Sequence, residues 1–258
     1  MKRILTAAVI APIAVYAVVW ANEWIFLAVL ASIALCCFHE YSGLLAAYGI
    51  RKPGPVGYAA GLVLLLSPRD AALLITLLTL LALVLSLDSG DLRDALPRAS
   101  GMLLGIVYIF GAWRCSIPLR HVSPYWLLFA LLLNWIGDIA AYYAGCAFGK
   151  HKLAPRVSPG KSWEGSIASI AASVLFAFLY VPRLLPGTPL VWTLALGAAG
   201  NIAGQFGDLA ESALKRGAGV KDSGAMLPGH GGWLDRVDSS LFAVPMIYWL
   251  VMQFVVAR

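Results

Sequence analysis

The sequence predicts an all-α, polytopic integral membrane protein of about nine transmembrane helices, with a polar cavity facing the cytoplasm. Three observations predict it. The 258 residues are 60% hydrophobic and only 12% charged, a balance outside that of ordinary soluble domains. Apolar runs recur at lengths close to those that cross a bilayer. Polar residues gather in the C-terminal half, where they repeat at helical spacing.

The spans are read at residues 4–20, 24–40, 55–67, 70–87, 100–114, 124–146, 162–181, 189–211 and 238–257. The first follows Met1-Lys2-Arg3 without a small-x-small cleavage site, so it is read as an uncleaved helix rather than a signal peptide. Asn22-Glu23 separates it from the second, which ends at His39-Glu40, a pair read as a helix-end feature. The third is short, with Pro53 and Pro55 before it and Pro68 after it. Asp88, Asp91 and Asp94 follow the fourth and read as solvated loop charge. Residues 1–120 are expected to be a scaffold that also offers oligomer contacts, a homodimer among them. Residues 121–258 are expected to carry the site, all within one continuous membrane domain.

Basic residues orient the helices. With the 211–238 loop in the cytoplasm, nine spans put only Arg69, Arg114, Arg120, Arg183 and Arg258 outside, and the other fourteen of the 19 Lys and Arg inside. Treating 55–87 as one broken span would nearly erase that positive-inside bias. The net charge of +6 is accounted for by this orientation and by attraction to anionic lipid and nucleotide, so it implies no nucleic-acid partner. The four cysteines form no CxxC pair; Cys36, Cys37 and Cys146 read as core packing, with no disulfide. Trp20, Trp24, Trp113, Tyr125, Trp126, Trp192 and Trp249 read as interfacial belts.

Two polar stripes mark the second half. The sixth span carries Asn134, Asp138 and Tyr142, and the eighth carries Asn201, Gln205, Asp208 and Ser212. Each series lies on one helical face. A charged Asp deep in a bilayer costs about 2.5–3.5 kcal/mol on the mildest scales. Asp138 and Asp208 are therefore expected to face a wet cavity, while the amides equally suit helix-to-helix hydrogen bonds.

The most polar stretch is Glu211 to Asp238. It holds Glu211, Asp222, Asp235 and Asp238 against Lys215, Arg216, Lys221 and Arg236, with six glycines between. Carboxylates can hold a divalent metal, cations can hold phosphate, and glycines admit close backbone approach. A second polar segment runs from Lys150 to Gly165. Its Gly160-Lys161-Ser162 is not a Walker A loop, because Pro155 stands where the first glycine belongs and no strand is expected before it. A helix beginning near Ser162 would instead offer free N–H groups beside Lys161, an arrangement that suits phosphate.

The order Ser212-x-x-Lys215-Arg216-x4-Lys221-Asp222-x5-Pro228-x-His230-Gly231-Gly232-x-x-Asp235-Arg236-x-Asp238 resembles the C-terminal motif of phosphatidate cytidylyltransferases, the CDP-diacylglycerol synthases. Asp138, Ala141, Tyr142 and Gly145, followed by Ser158-Pro159-x-Lys161-Ser162-Trp163-Glu164-Gly165, resemble a second region of that family. Residues before 120 match only as membrane helices.

The resemblance implies transfer of CMP from CTP to phosphatidic acid at the cytoplasmic side of a bacterial inner membrane. It implies Mg²⁺, with room for a second cation, held by Asp208 and Asp235 first and by Asp238 and Asp222 behind them. Catalytic roles are expected for Lys215, Arg216, Lys221, Asp222, His230 and Arg236. Substrate contacts are expected from Asp138, Ser158, Lys161, Ser162, Glu164, Ser212, Gly231 and Gly232. His230 fits a phosphate donor, a proton carrier or a turn residue equally well. Two other readings stand beside this one: a CTP-using lipid kinase of the dolichol or phytol type, and a cation-coupled transporter.

Overall fold

The computed structural model describes residues 2–227, 229 and 231–256, without the side chains of the first ten. Helix dominates. The helices are α1 (Lys2–Val19), α2 (Glu23–Ala47), α3 (Gly54–Leu66), α4 (Ala71–Ser86), α5 (Ala95–Gly105), α6 (Ala112–Arg114), α7 (Ser116–Val122), α8 (Pro124–Phe148), α9 (Trp163–Leu184), α10 (Leu190–Gly217) and α11 (Leu234–Val251). A π-helical turn, Ile106–Gly111, joins α5 to α6, and another, Met252–Val256, extends α11. Two short strands, β1 (Lys152–Ala154) and β2 (Ser158–Ser162), pair antiparallel with a bulge between them.

Among the described residues, five stretches are long and apolar enough to cross a membrane: Glu23–Ala47, Leu92–Val122, Pro124–Phe148, Trp163–Leu184 and Leu234–Val256. The chain is a multi-pass, helical membrane protein. The apolar helices α3 and α4 have 13 and 16 residues; at about 1.5 Å per residue each falls short of the roughly 30 Å hydrocarbon core.

Several expected boundaries move. The second span was expected to stop at residue 40, but α2 continues to Ala47, so Glu40 lies inside the helix and not at its end. The fifth was expected at 100–114; one nearly continuous rod covers Leu92–Val122. The eighth was expected to end at 211, yet α10 reaches Gly217 and carries Lys215 and Arg216 on its last turn. The basic segment, expected to be strandless, forms the β1–β2 hairpin. Its pairing is short and bulged and has no apolar alternation to announce it.

Two compact units form. One contains Met1–Ile13, Ala21–Arg114 and Leu214–Arg236; the other contains Ala14–Trp20, Cys115–Ala213 and Val237–Arg258. The motif segment 214–236 groups with N-terminal helices.

In the first unit, Phe38 of α2 packs against Phe110 and Tyr58 at ring separations of 5.2 and 5.0 Å. Gly61 and Gly105 admit the Phe110 and Tyr41 rings, leaving no room for a side chain. The Tyr41 hydroxyl donates to Gly101 O at 2.9 Å. Helices α3 and α4 run out and back: Arg51, before α3, meets the Asp88 carboxylate, after α4, at 3.3 Å. At the opposite end the Arg114 guanidinium donates to Leu64 O and Arg69 O.

In the second unit, α8 packs along α9. Four glycines of α10 let its neighbours approach closely, as small residues do between membrane helices. Gly197 lies against α9, Gly200 against Leu133 and Ile247, Gly204 against Asn134, and Gly207 against Phe242 and the Asp238 carbonyl. Phe129 and Phe176 stack at 5.7 Å between α8 and α9.

Trp113 and Trp126, expected in interfacial belts, are buried, whereas Trp20, Trp24 and Trp249 are exposed. Cys146, expected in the core, is exposed, and no disulfide joins any cysteine among the described residues.

Candidate active site

The expected site residues fall into one group in each unit. In the first unit the group is built on the segment from Leu214 to Arg236. Helix α10 ends in a glycine cap: Gly219 takes φ +73°, Val220 N–H donates to Lys215 O at 2.9 Å, and Gly219 N–H donates to Arg216 O at 3.1 Å. A left-handed residue is needed there, and glycine adopts it without strain. The Tyr48 hydroxyl, at the end of α2, donates to Leu214 O at 2.9 Å and fixes this turn.

The chain then closes on itself, with Leu227 N–H donating to Gly231 O at 2.9 Å. Gly231 has φ +78°, and a Cβ there would stand 2.8 Å from the Asp235 carboxylate. Asp235, in the first turn of α11, is the hub. Its Oδ1 meets Lys215 Nζ at 2.5 Å, and the two side chains are 4% and 10% exposed. Its Oδ2 accepts Gly232 N–H at 2.7 Å and Ser223 N–H at 2.9 Å. The Gly232 N–H, expected to meet substrate, is thus given to Asp235. Arg216, Lys221, Asp222 and Arg236 are exposed around this hub. Arg216 donates to Val220 O at 3.0 Å. Pro228 and His230 lie outside the described residues.

The sequence reads Glu40 as a helix-end residue over one that reaches the cavity. Its side chain is buried among the motif residues and accepts Trp233 N–H at 3.0 Å and Leu234 N–H at 2.9 Å. The signal that could have found it is an ionisable residue inside an apolar helix. Ending the span at residue 40 removed that signal, because the apolar Leu44–Ala47 turn was left out.

In the second unit the group surrounds a cavity of about 420 Å³ between α8, the hairpin, α9 and α10. Asp138, Ser158, Lys161, Ser162 and Asp208 all line it, as does the unexpected Cys146. Lys161 Nζ meets Asp208 Oδ2 at 2.5 Å, with side chains 27% and 31% exposed. Ser212 Oγ–H donates to Asp208 Oδ1 at 3.3 Å. Ser162 caps α9, its Oγ accepting Gly165 N–H at 3.2 Å. Glu164 is tied to the hairpin: His151 Nδ1 lies 2.7 Å from its Oε1, and His151 N–H also reaches it.

Asn201 and Gln205 act as helix-to-helix ties, whereas Asn134 donates to Ala130 O at 3.2 Å within α8. Ser166 Oγ–H donates to Gln205 Oε1 at 2.5 Å, Gln205 Nε2 to Asn201 Oδ1 at 2.7 Å, and Asn201 Nδ2 to Ser169 Oγ at 3.0 Å. This ladder ties α9 to α10 beneath the cavity. Asp238 accepts Ser239 N–H at 2.7 Å in the first turn of α11, and Glu211 is fully buried on α10. Among the described residues, no three His, Cys, Asp or Glu side chains gather where they could hold a metal ion.

A membrane-embedded helical protein with two lysine–carboxylate pairs flanked by exposed cations is suited to handling phosphates at a bilayer face. The model of the cytidylyltransferase family matches residues 1–254, and the chain belongs to that family. It is similar to the phosphatidate cytidylyltransferase of Haemophilus influenzae, at 43% identity over 148 residues, covering 54% of this chain and 51% of that protein. Against the enzyme of that name from Bacillus subtilis the figures are 38% over 154 residues, 58% and 57%. Against the one from Staphylococcus saprophyticus they are 34% over 208 residues, 78% and 80%. The matched segments thus span about half the length of the first two relatives and four-fifths of the third.

Proposed function

We propose that this protein transfers CMP from CTP to phosphatidic acid, giving CDP-diacylglycerol and pyrophosphate. The observation that carries the reading is the matched pair of contacts, Lys161–Asp208 and Lys215–Asp235, each 2.5 Å long and each joining two residues expected in the site. Each pair holds one group able to bind phosphate and one able to bind a cation, neutralised against each other until substrate arrives.

In the reaction a phosphate oxygen of the lipid attacks the α-phosphorus of CTP. The bond from that phosphorus to the bridging oxygen breaks, and pyrophosphate leaves with the electron pair. The chain must align two anions and stabilise the charge that builds on the leaving group. Lys161, the capped start of α9 and Ser158 offer phosphate contacts in the cavity. Lys215, Arg216, Lys221 and Arg236 offer them along the 214–236 segment. His230 and Asp222 are assigned catalytic roles by their position in the C-terminal motif, and Asp138 a substrate contact by its position in the second region.

The residues present fit Mg²⁺. An all-protein cage would need a third acidic ligand, but Mg²⁺ commonly takes one or two carboxylates and completes its shell with water and substrate phosphates. Asp208 in the cavity and Asp235 in the 214–236 segment are the carboxylates that would each offer it a ligand, with Asp238 behind them; each of the first two already carries a cationic group at contact distance. When bound, the ion would neutralise phosphate charge and favour departure of pyrophosphate.

We also place nine spans in a bacterial inner membrane, with the site on the cytoplasmic side. The meeting of Arg51 with Asp88 supports the out-and-back course of α3 and α4 that this count needs.

The test is pyrophosphate release from CTP by detergent-purified protein, expected only when phosphatidic acid and Mg²⁺ are both present. Formation of CDP and a phosphorylated polyprenol would establish the lipid-kinase reading instead. Ion flux in liposomes without pyrophosphate would establish the transporter.

A further inference from the structure

Glu40 lies on α2, 183 residues before Ser223 in sequence, yet its side chain is enclosed by the motif segment and is 4% exposed. Three donors converge on its carboxylate. Oε1 accepts Trp233 N–H at 3.0 Å, and Oε2 accepts Leu234 N–H and the Ser223 hydroxyl, both at 2.9 Å. The segment is shaped to admit it: a Cβ on Gly224 would stand 2.7 Å from Oε1, and one on Gly232 would collide with Oε2.

The two backbone donors are orphan N–H groups at the start of α11, which no intrahelical acceptor can serve. A carboxylate there also meets the positive end of the helix dipole. Glu40 therefore caps α11 from a different helix. The next residue of α11 is Asp235, whose Oδ2 takes Gly232 N–H and Ser223 N–H. The Ser223 hydroxyl is within reach of both carboxylates, at 2.9 Å from Glu40 and 3.0 Å from Asp235. It has one hydrogen and serves one of them at a time. Glu40 and Asp235 thus hold one turn between them, and only Asp235 continues to Lys215.

We infer that Glu40 is a positioning residue for cytidylyl transfer. Without touching substrate, it locks the 223–234 turn and so orients the Asp235–Lys215 pair. The inference rests on the proposed function, which makes that pair part of the site.

The test is Glu40→Gln, which keeps volume and one acceptor oxygen but turns an amide group toward one of the three donors. The expected result is a protein whose melting temperature stays within about 3 °C of the parent. Amide exchange across 223–235 should accelerate about tenfold or more, with α8 and α9 unchanged. At saturating substrates kcat should fall about tenfold or more while KM for CTP moves less than about threefold. Gly224→Ala leaves Glu40 in place but crowds it, and should reproduce the kcat loss; it carries the test if Glu40→Gln fails to fold. Exchange that stays at the parental rate overturns the inference, whatever reaction the protein catalyses. So does a kcat within about twofold of the parent in both folded variants. A parent that makes no CDP-lipid overturns the proposed function instead, and the exchange data then decide the tether alone.

Discussion

Lys215 and Asp235 meet at 2.5 Å although they lie 20 positions apart on a glycine-rich stretch of chain. The pair is nearly sealed from solvent, and Asp235 also secures Gly232 and Ser223. The segment's best-enclosed charges therefore organise it, while Arg216, Lys221 and Arg236 are exposed.

Asp235→Asn should abolish pyrophosphate release and also lower stability. Removing one partner of a buried ion pair leaves the other uncompensated, at a cost of about 3–5 kcal/mol. Adding Lys215→Met to that variant should recover part of the melting temperature and none of the activity. Thermal unfolding and turnover, measured on both variants, check this. A stable, active Asp235→Asn protein would remove Asp235 from the site.

Lys161→Ala and Asp208→Asn should behave differently. Their side chains are about a quarter to a third exposed, and solvated pairs contribute about 0–1 kcal/mol. Melting should move by no more than about 4 °C, while kcat/KM falls by about a hundredfold or more, as expected when a group aligned on transferring phosphate is lost. Parental turnover in both variants would show that the cavity is not where phosphate is handled.

Chelation should stop turnover without unfolding the protein. The proposed Mg²⁺ would complete its shell with water and substrate phosphates, so it is not expected to support the fold as structural zinc does. EDTA should therefore leave the melting temperature of the nucleotide-free protein unchanged, and Mg²⁺ should restore pyrophosphate release. A large drop in melting temperature with EDTA would point to a structural ion.

Topology can be read with single cysteines in a background lacking the native four. Cysteines at 52 and 90 should react with an impermeant maleimide from the same side of inverted vesicles, and one at 69 from the other. Labelling of 52 and 90 from opposite sides would make α3 and α4 one broken span and would nearly erase the positive-inside bias.

Much of the fold and part of the site were legible in the chain. The long apolar runs forced helices, because no other open backbone arrangement satisfies its hydrogen bonds in hydrocarbon. The spacing of Asn201, Gln205, Asp208 and Ser212 put them on one face of α10, and the structure ties the first two to α9 and lines the cavity with Gln205 and Asp208. Helix ends were less legible. Lys215 and Arg216 looked like loop residues because charge dilutes the apolar pattern, yet a helix leaving the bilayer continues until its carbonyls are capped, here at Gly219.

By itself, the sequence determined the membrane-helical class, the polar second half and the motif residues, since those depend on composition and local periodicity. Only the tertiary structure decided that Lys161 faces Asp208, that Lys215 faces Asp235, and that Glu40 of α2 closes over the start of α11. Such pairings join residues tens to nearly two hundred positions apart. No local pattern encodes them, because each forms only where packing brings buried donors to an acceptor that water can no longer replace.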